Sequence, residues 1–374
     1  MNKDVVVICA GLAGSSLAAA LASAGWDVLL VERDRFPRHK VCGEFLSPEA
    51  QYSLHALGLL TDVAALEPIP VSNVKLVTQR GTTIRTGLPG AAWGISRYAL
   101  DPALANAAQQ RGAELWTGAT VKSYTACEAG YAVQVRSEAG PVTVQARMVV
   151  AACGRHTQPG LPPTPRALDR RRQGVGVKCH YAGITMPAQV ELFLFPGGYV
   201  GINPVEGGRV NVCLLASYTA FAGAGKGVQP MLAAAARANP ELRQRLAEGY
   251  ALPATESAVA PVDTYRPAAP WDGIPCVGDA AVMIPPLCGD GMAMALRSAE
   301  LCTPLAHAFL QGTLSLPAWQ AAYSQIWHAE FDHRLRIGRL LQRLLGLPLL
   351  ADLFVRAGQV VPSLATYLVQ ATRG

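Results

Sequence analysis

Charged side chains are scarce in this chain. Asp, Glu, Lys and Arg supply 16% of the 374 residues, against 51% apolar ones. Such a balance excludes a disordered chain, because this much apolar surface can be buried to offset chain entropy. The excess of basic over acidic residues is only six. Apart from Arg170-Arg171-Arg172 and the Arg-rich segment 334–343, the basic residues are scattered. No aromatic residues interleave with them, so no nucleic-acid partner is expected. Paired cysteines are missing too. The nine cysteines, at 9, 42, 127, 153, 179, 213, 276, 288 and 302, are odd in number and lack C-x-x-C spacing. This argues against a disulfide framework and a zinc site, and predicts a reducing, cytoplasmic setting. Among the histidines only the loose pair His328 and His333 stands close together, and no metal site is expected. Residues 5–31 carry Asp27 as their one charge, but they lack a basic leader and are broken by glycines. They read as buried strand, helix and strand rather than as a signal peptide or membrane span.

The first of those strands runs into a turn. Residues 5–16 read VVVICAGLAGSS, with a β-branched run over Val5–Ile8 and an Ala/Leu helix predicted over Ser15–Ala24. A second strand follows over Asp27–Val31, with Glu32 at its end and Arg33 beyond. The dinucleotide-binding turn is written G-x-G-x-x-G, with an acid about 20 residues on to take ribose hydroxyls. Here Cys9 replaces the first glycine, while Gly11 and Gly14 remain. Ala10, Gly11, Leu12, Ala13 and Gly14 are therefore the expected phosphate-binding turn, and Glu32 and Arg33 its ribose end. Cys9 is read as a tolerated variant costing roughly 1 kcal/mol of turn freedom.

The cofactor is chosen by distant segments. Residues 274–296 read IPCVGDAAVMIPPLCGDGMAMAL. The stretch resembles the second FAD fingerprint of the p-hydroxybenzoate hydroxylase superfamily, G-D-A-A-x-x-x-x-P-x-x-G-x-G. The resemblance implies that Gly278 and Asp279 meet the ribityl chain, and that Gly289, Asp290, Gly291 and Met292 open a helix toward the flavin. A helix N-terminus there would favour the negative charge of a reduced flavin. The helix led by Arg97 in residues 95–113 is similar to the family's phosphate-proximal helix, and Val121 falls on the strand that meets adenine. Residues 40–49, KVCGEFLSPE, resemble the ring-proximal loop of the geranylgeranyl reductase-like branch. That likeness places Lys40, Cys42 and Gly43 by the cofactor, makes Cys42 and Glu44 the candidate catalytic groups, and puts Phe45 by the substrate. PGGYVGINP, residues 196–204, is similar to that branch's P-G-G-Y segment and adds Tyr199 and Asn203 on the substrate side.

The pattern departs in places. The family's middle Asp-Gly reads Cys153-Gly154, the halogenase string W-x-W-x-I-P is missing, and Lys75 lies roughly where a halogenase lysine stands. The resemblance implies bound FAD, NAD(P)H as transient reductant and a small apolar substrate, aromatic or polyketide-like, of secondary metabolism. A monooxygenase, hydroxylating or epoxidising, is the leading expectation. Alkene reduction, halogenation and non-catalytic flavin binding are the alternatives.

The expected architecture is α/β: a Rossmann-like FAD-binding domain, an inserted antiparallel-sheet substrate domain and a C-terminal helical segment. The FAD-binding part takes residues 1–70, 93–165 and 262–315, the substrate part 71–92 and 166–261, and the helices 316–374. Hairpins are predicted at 71–88 and 131–146, a crossing loop at 156–173, and three or four strands over 174–217. Of that last sheet, either Lys178 and His180 or Cys179 and Tyr181 face the site. Residues 334–370 carry an apolar stripe with arginines, too interrupted for a span. They are expected to pack back on the FAD-binding domain, with contact to a membrane surface or a carrier protein as the alternative.

Overall fold

The computed structural model describes residues 1–155, 173–225 and 227–361. All but the last residue of the crossing loop expected at 156–173, the arginine run within it, and the helical expectation beyond 361 lie outside the described residues.

Val5, Val6 and Val7 are fully buried, as a parallel strand covered on both faces requires. This strand, β1 (Asn2–Ile8), leads to α1 (Leu12–Ser23) and β2 (Val28–Glu32). After β3 (Phe45–Leu46), α2 (Pro48–Ala56) and α3 (Leu60–Ala64) comes the long hairpin β4 (Ile69–Val77) and β5 (Thr83–Gly94). Next are α4 (Arg97–Gln110), β6 (Glu114–Thr117), β7 (Thr120–Cys127), β8 (Gly130–Ser137) and β9 (Gly140–Ala151). The first sheet has the order β6-β2-β1-β9-β8-β7, parallel from β6 to β9 and antiparallel beyond. Small residues bury almost the whole of α1 against α4 and α8 (Gly291–Leu310).

The second sheet is a roof. Strands β10 (Gly174–Ala182), β11 (Gln189–Phe195), β12 (Gly198–Val205) and β13 (Arg209–Ser217) join the β4–β5 hairpin, with β11 parallel to β4. Three helices, α5 (Tyr218–Ala224), α6 (Val228–Ala238) and α7 (Pro240–Ala247), follow, and α6 and α7 cover its outer face. Cys179 and Tyr181 join that outer core with Phe193, Met231 and Leu232. Period-two alternation then turns Lys178 and His180 the other way, toward the loop at residues 39–44.

The last helices follow the expectation only in part. α9 (Leu316–Leu345) does bury Trp319, Tyr323, Trp327 and Phe331, four residues apart, beside α8. The Tyr323 hydroxyl donates to the Cys276 carbonyl at 3.0 Å. Leu335 still joins that core and Arg339 donates to the Thr264 carbonyl at 2.9 Å, but the last turns of α9 and α10 (Pro348–Val360) pack on the roof, where Leu345, Ala351 and Val355 meet Leu76 and Leu194. Asp352 fixes this contact by accepting from Thr78 at 3.1 Å and Thr82 at 2.5 Å. The helices pack there because the roof presents apolar side chains at the edge of the β4–β11 junction, which sequence periodicity does not reveal.

Candidate functional site

The glycine turn is built as a ligand cradle. Cys9 takes φ +80°, a left-handed backbone that suits glycine. Its N–H donates to the Val31 carbonyl at 2.7 Å. Gly11 then caps α1 without a side-chain hydrogen bond, leaving first-turn N–H groups for a ligand. Gly14 is required by contact: a Cβ there would lie 2.1 Å from the Cys9 carbonyl oxygen and 2.9 Å from the Ala152 methyl. Glu32 ties the turn to the strand end. Its carboxylate accepts from the Ala10 N–H at 2.9 Å, the Asp34 N–H at 3.0 Å and the Arg38 guanidinium at 3.1 Å.

Two cations converge over this turn. Lys40 Nζ and an Arg97 nitrogen each come within 3.9 Å of the place a Gly11 Cβ would occupy. Arg97 is held from below by buried Asp101, at 2.5 and 3.0 Å, one helical turn along α4. Burial, together with neighbouring Arg97, lowers the Lys40 pKa, while Asp101 keeps Arg97 firmly protonated against its own burial. On the opposite wall Asp279 sits in a short 3₁₀ turn, Gly278–Ala280. Burial lifts its carboxyl to about 6, against the pull of Arg97, Lys40 and Arg155. The uncapped N-terminus of α8 opens beside it.

These groups line one cavity of about 700 Å³. Gly11, Leu12, Ala13, Glu32 and Arg33 stand on its wall, as do Lys40, Cys42, Gly43, Glu44 and Arg97. So do Phe45, Tyr199 and Asn203, and on the far side Gly278, Asp279, Gly289, Gly291 and Met292. Four expected residues are not on the wall. Ala10 points its N–H at Glu32, and Gly14 is used in packing. Val121 is buried in the core, on β7 at the edge of the first sheet, paired there with Val135 of β8. Asp290 is fully buried at the start of α8.

The loop carrying Cys42 and Glu44 is held by the roof. The Asn211 amide donates to the Cys42 carbonyl at 3.0 Å, and the Asn203 amide to the Glu44 carbonyl at 2.7 Å. Glu44 has φ +55°, and its fully buried carboxylate turns inward. It accepts from His180 at 2.7 Å, from the Arg97 backbone N–H at 2.9 Å, and from Lys178. Burial favours the neutral acid, but His180 and Lys178 outweigh it and hold the carboxyl below its usual range. Three donors inside the fold thus hold the Glu44 carboxylate in place. Burial raises the Cys42 thiol, so at neutral pH it is a thiol and not a thiolate. Burial likewise keeps Tyr199 a phenol.

Beyond this loop the wall becomes apolar. Val74, Leu76, Ile84, Val190 and Leu192 of the roof face Leu341, Leu345, Phe354 and Val355 of α9 and α10. Sequence reasoning missed this C-terminal wall, and also Arg155, Arg38 and the Asn211 tie. Arg155 had a signal in its place after Cys153-Gly154; the others depend on contacts between remote segments. Lys75 lies off the wall, its ammonium 5.7 Å above the Phe193 ring, because Val74 and Leu76 take the inward positions of β4.

Residues 2–185 match the family model for an FAD-binding domain. The chain carries an FAD-binding domain. The donor set fits that cofactor: two uncapped helix N-termini, two cations over the turn and carboxylates at both ends of one cavity suit a pyrophosphate between hydroxyl-bearing groups. The flavoprotein is 28% identical to menaquinone reductase of Mycobacterium tuberculosis over 327 residues, covering 81% of this chain and 76% of that protein. It is 27% identical to digeranylgeranylglycerophospholipid reductase 2 of Methanopyrus kandleri, covering 88% and 83%. The fold is that of a geranylgeranyl bacteriochlorophyll reductase-like protein of Thermoplasma acidophilum, with TM-score 0.78, 20% identity and coverage of 100% and 92%.

Proposed function

We propose that this flavoprotein reduces a carbon–carbon double bond in an apolar, lipid-like substrate. The observation that carries this reading is the division of the cavity into a polar cradle and an apolar half walled by the roof and the C-terminal helices. The reading is supported by similarity, over most of the chain, to enzymes named as reductases of menaquinone and of a digeranylgeranyl phospholipid. FAD held in the cradle would supply hydride to the alkene, with NAD(P)H proposed as its reductant. The protein's part is to bind, to exclude water and to provide the proton for the second carbon. Cys42 and Tyr199 are the neutral proton-bearing groups proposed for that last task, since both are on the wall and both are kept protonated by burial. Lys40, Arg97, Glu32 and Asp279 are proposed to hold the cofactor.

Oxygen transfer, as in a hydroxylase or epoxidase, is the second reading, because the same apolar wall would exclude water from a reactive oxygen species. Halogenation is disfavoured by the position of Lys75 on the opposite side of β4. The test is anaerobic. The reduced holoenzyme is mixed with a quinone bearing a short isoprenoid tail, and flavin absorbance and product mass are followed. Flavin reoxidation with a two-hydrogen mass gain in the tail supports alkene reduction. Turnover that waits for oxygen and adds an oxygen atom would replace it with the second reading.

A further inference from the structure

Among the described residues, seven of the twelve exposed large apolar side chains fall between residues 340 and 361. They include Leu349, Leu353 and Val360, which are 61%, 64% and 81% exposed. Leu349, Leu353 and Val360 lie four and seven residues apart, on one side of α10. The other side is apolar as well: Ala351, Val355 and Gly358 are buried against the roof. A helix apolar on both sides belongs inside a protein or at a second apolar phase. Leu340 and Leu347 continue the exposed patch along the end of α9 and the turn before α10.

The segment that carries this patch is mostly basic. From residue 333 to 361 the chain has five arginines and a single acid, Asp352. Asp352 is buried beneath the helix, bonded to Thr78 and Thr82 and paired with Arg356 at 2.9 Å. Arg336, Arg343 and Arg356 are exposed. The same two helices present Leu341, Leu345 and Phe354 to the cavity. The exposed apolar patch is therefore the outer side of the wall that closes the apolar half of the site.

We propose that the α9–α10 hairpin seats this protein on the surface of an anionic lipid bilayer. The leucines enter the boundary between headgroups and acyl chains, and the arginines meet the lipid phosphates. No helix is long and apolar enough to cross a membrane among the described residues, so the contact is peripheral. The seating is independent of which reaction the cavity performs, and it brings the cavity wall within a helix's thickness of the acyl chains.

The test is co-sedimentation of the FAD-loaded full chain with vesicles of phosphatidylcholine containing a minority of phosphatidylglycerol, beside vesicles of phosphatidylcholine alone. The expected result is binding that the anionic lipid strengthens and that added salt weakens. Leu349→Asp combined with Leu353→Asp should weaken binding roughly ten-fold or more, since it puts two charges where apolar area was buried. Arg336→Gln and Arg343→Gln should each weaken it about five-fold on the anionic vesicles and little on the neutral ones. Flavin content and melting temperature should stay as in the parent, which shows that the fold is intact. The proposal is overturned if the parent stays in the supernatant with both vesicles, or if the double Leu→Asp variant binds as well as the parent. It is also overturned if the parent elutes as a dimer that the leucine substitutions split, which would make the patch a contact between two copies of this chain.

Discussion

Cys9 holds a glycine's conformation without being glycine. A left-handed backbone costs a non-glycine residue about 1–2 kcal/mol. Glycine in its place would lose about 0.5–1 kcal/mol to unfolded-chain entropy. The strain is the larger effect, so Cys9→Gly should stabilise the protein by roughly 0.5–1 kcal/mol, and a urea unfolding midpoint would show it. Cys9→Val should destabilise it, because a β-branched side chain tolerates positive φ least. Asp279 makes a different prediction. With its carboxyl lifted to about 6, a proton competes with any hydroxyl that donates to the carboxylate. FAD affinity, followed by flavin fluorescence quenching, should fall as the pH is lowered through about 6, and Asp279→Asn should flatten that dependence. Glu44 belongs with its buried partners. Glu44→Gln strands the Lys178 charge and should cost about 3–5 kcal/mol, whereas Glu44→Gln with Lys178→Met should recover much of it. A double-mutant cycle in thermal unfolding reads that coupling, and a double variant whose cost equals the sum of the two single costs would show that the pair is not coupled.

The elements legible in the sequence were those whose pattern is local. The β1–α1–β2 unit announced itself through a β-branched run, spaced glycines and a terminal acid, and the four roof strands through their turns. The face of β10 was not legible, since Lys178-Cys179-His180-Tyr181 alternates polar and less polar residues with no clear winner. Contact with Glu44 on one side and with α6 on the other decides it. The path of α9 was half legible for the same reason. Its aromatic stripe marks a buried face, but nothing local says that the stripe ends on one sheet and the helix continues onto another. If α10 is a wall of the substrate pocket, Phe354→Ala should leave flavin content unchanged and shift the preferred chain length of an isoprenoid substrate upward. Steady-state kinetics over a series of tail lengths would show it, and an unchanged profile would take Phe354 out of the pocket.

At the scale of the molecule, the α/β architecture with an antiparallel roof and a helical end was readable because four ordered motifs span most of the chain. The reaction was less so. The cofactor cradle is written in glycines and charged residues at fixed spacing, whereas the substrate half is written in ordinary leucines, valines and phenylalanines. Those residues look like any core until the fold sets them around an opening.

The two asparagine ties from the roof give the fold a grammar of its own. Asn203 and Asn211, in strands more than 150 residues down the chain, hold the backbone of the loop between Cys42 and Glu44. The roof and this loop must then be inherited together. A chimera that grafts a relative's roof onto this cradle would bring new side chains to an unchanged loop and lose its flavin, unless residues 40–45 travel with the graft. Recombination among such flavoproteins should respect that linkage, so the seam between cofactor and substrate halves is not where the linear order of the segments would place it.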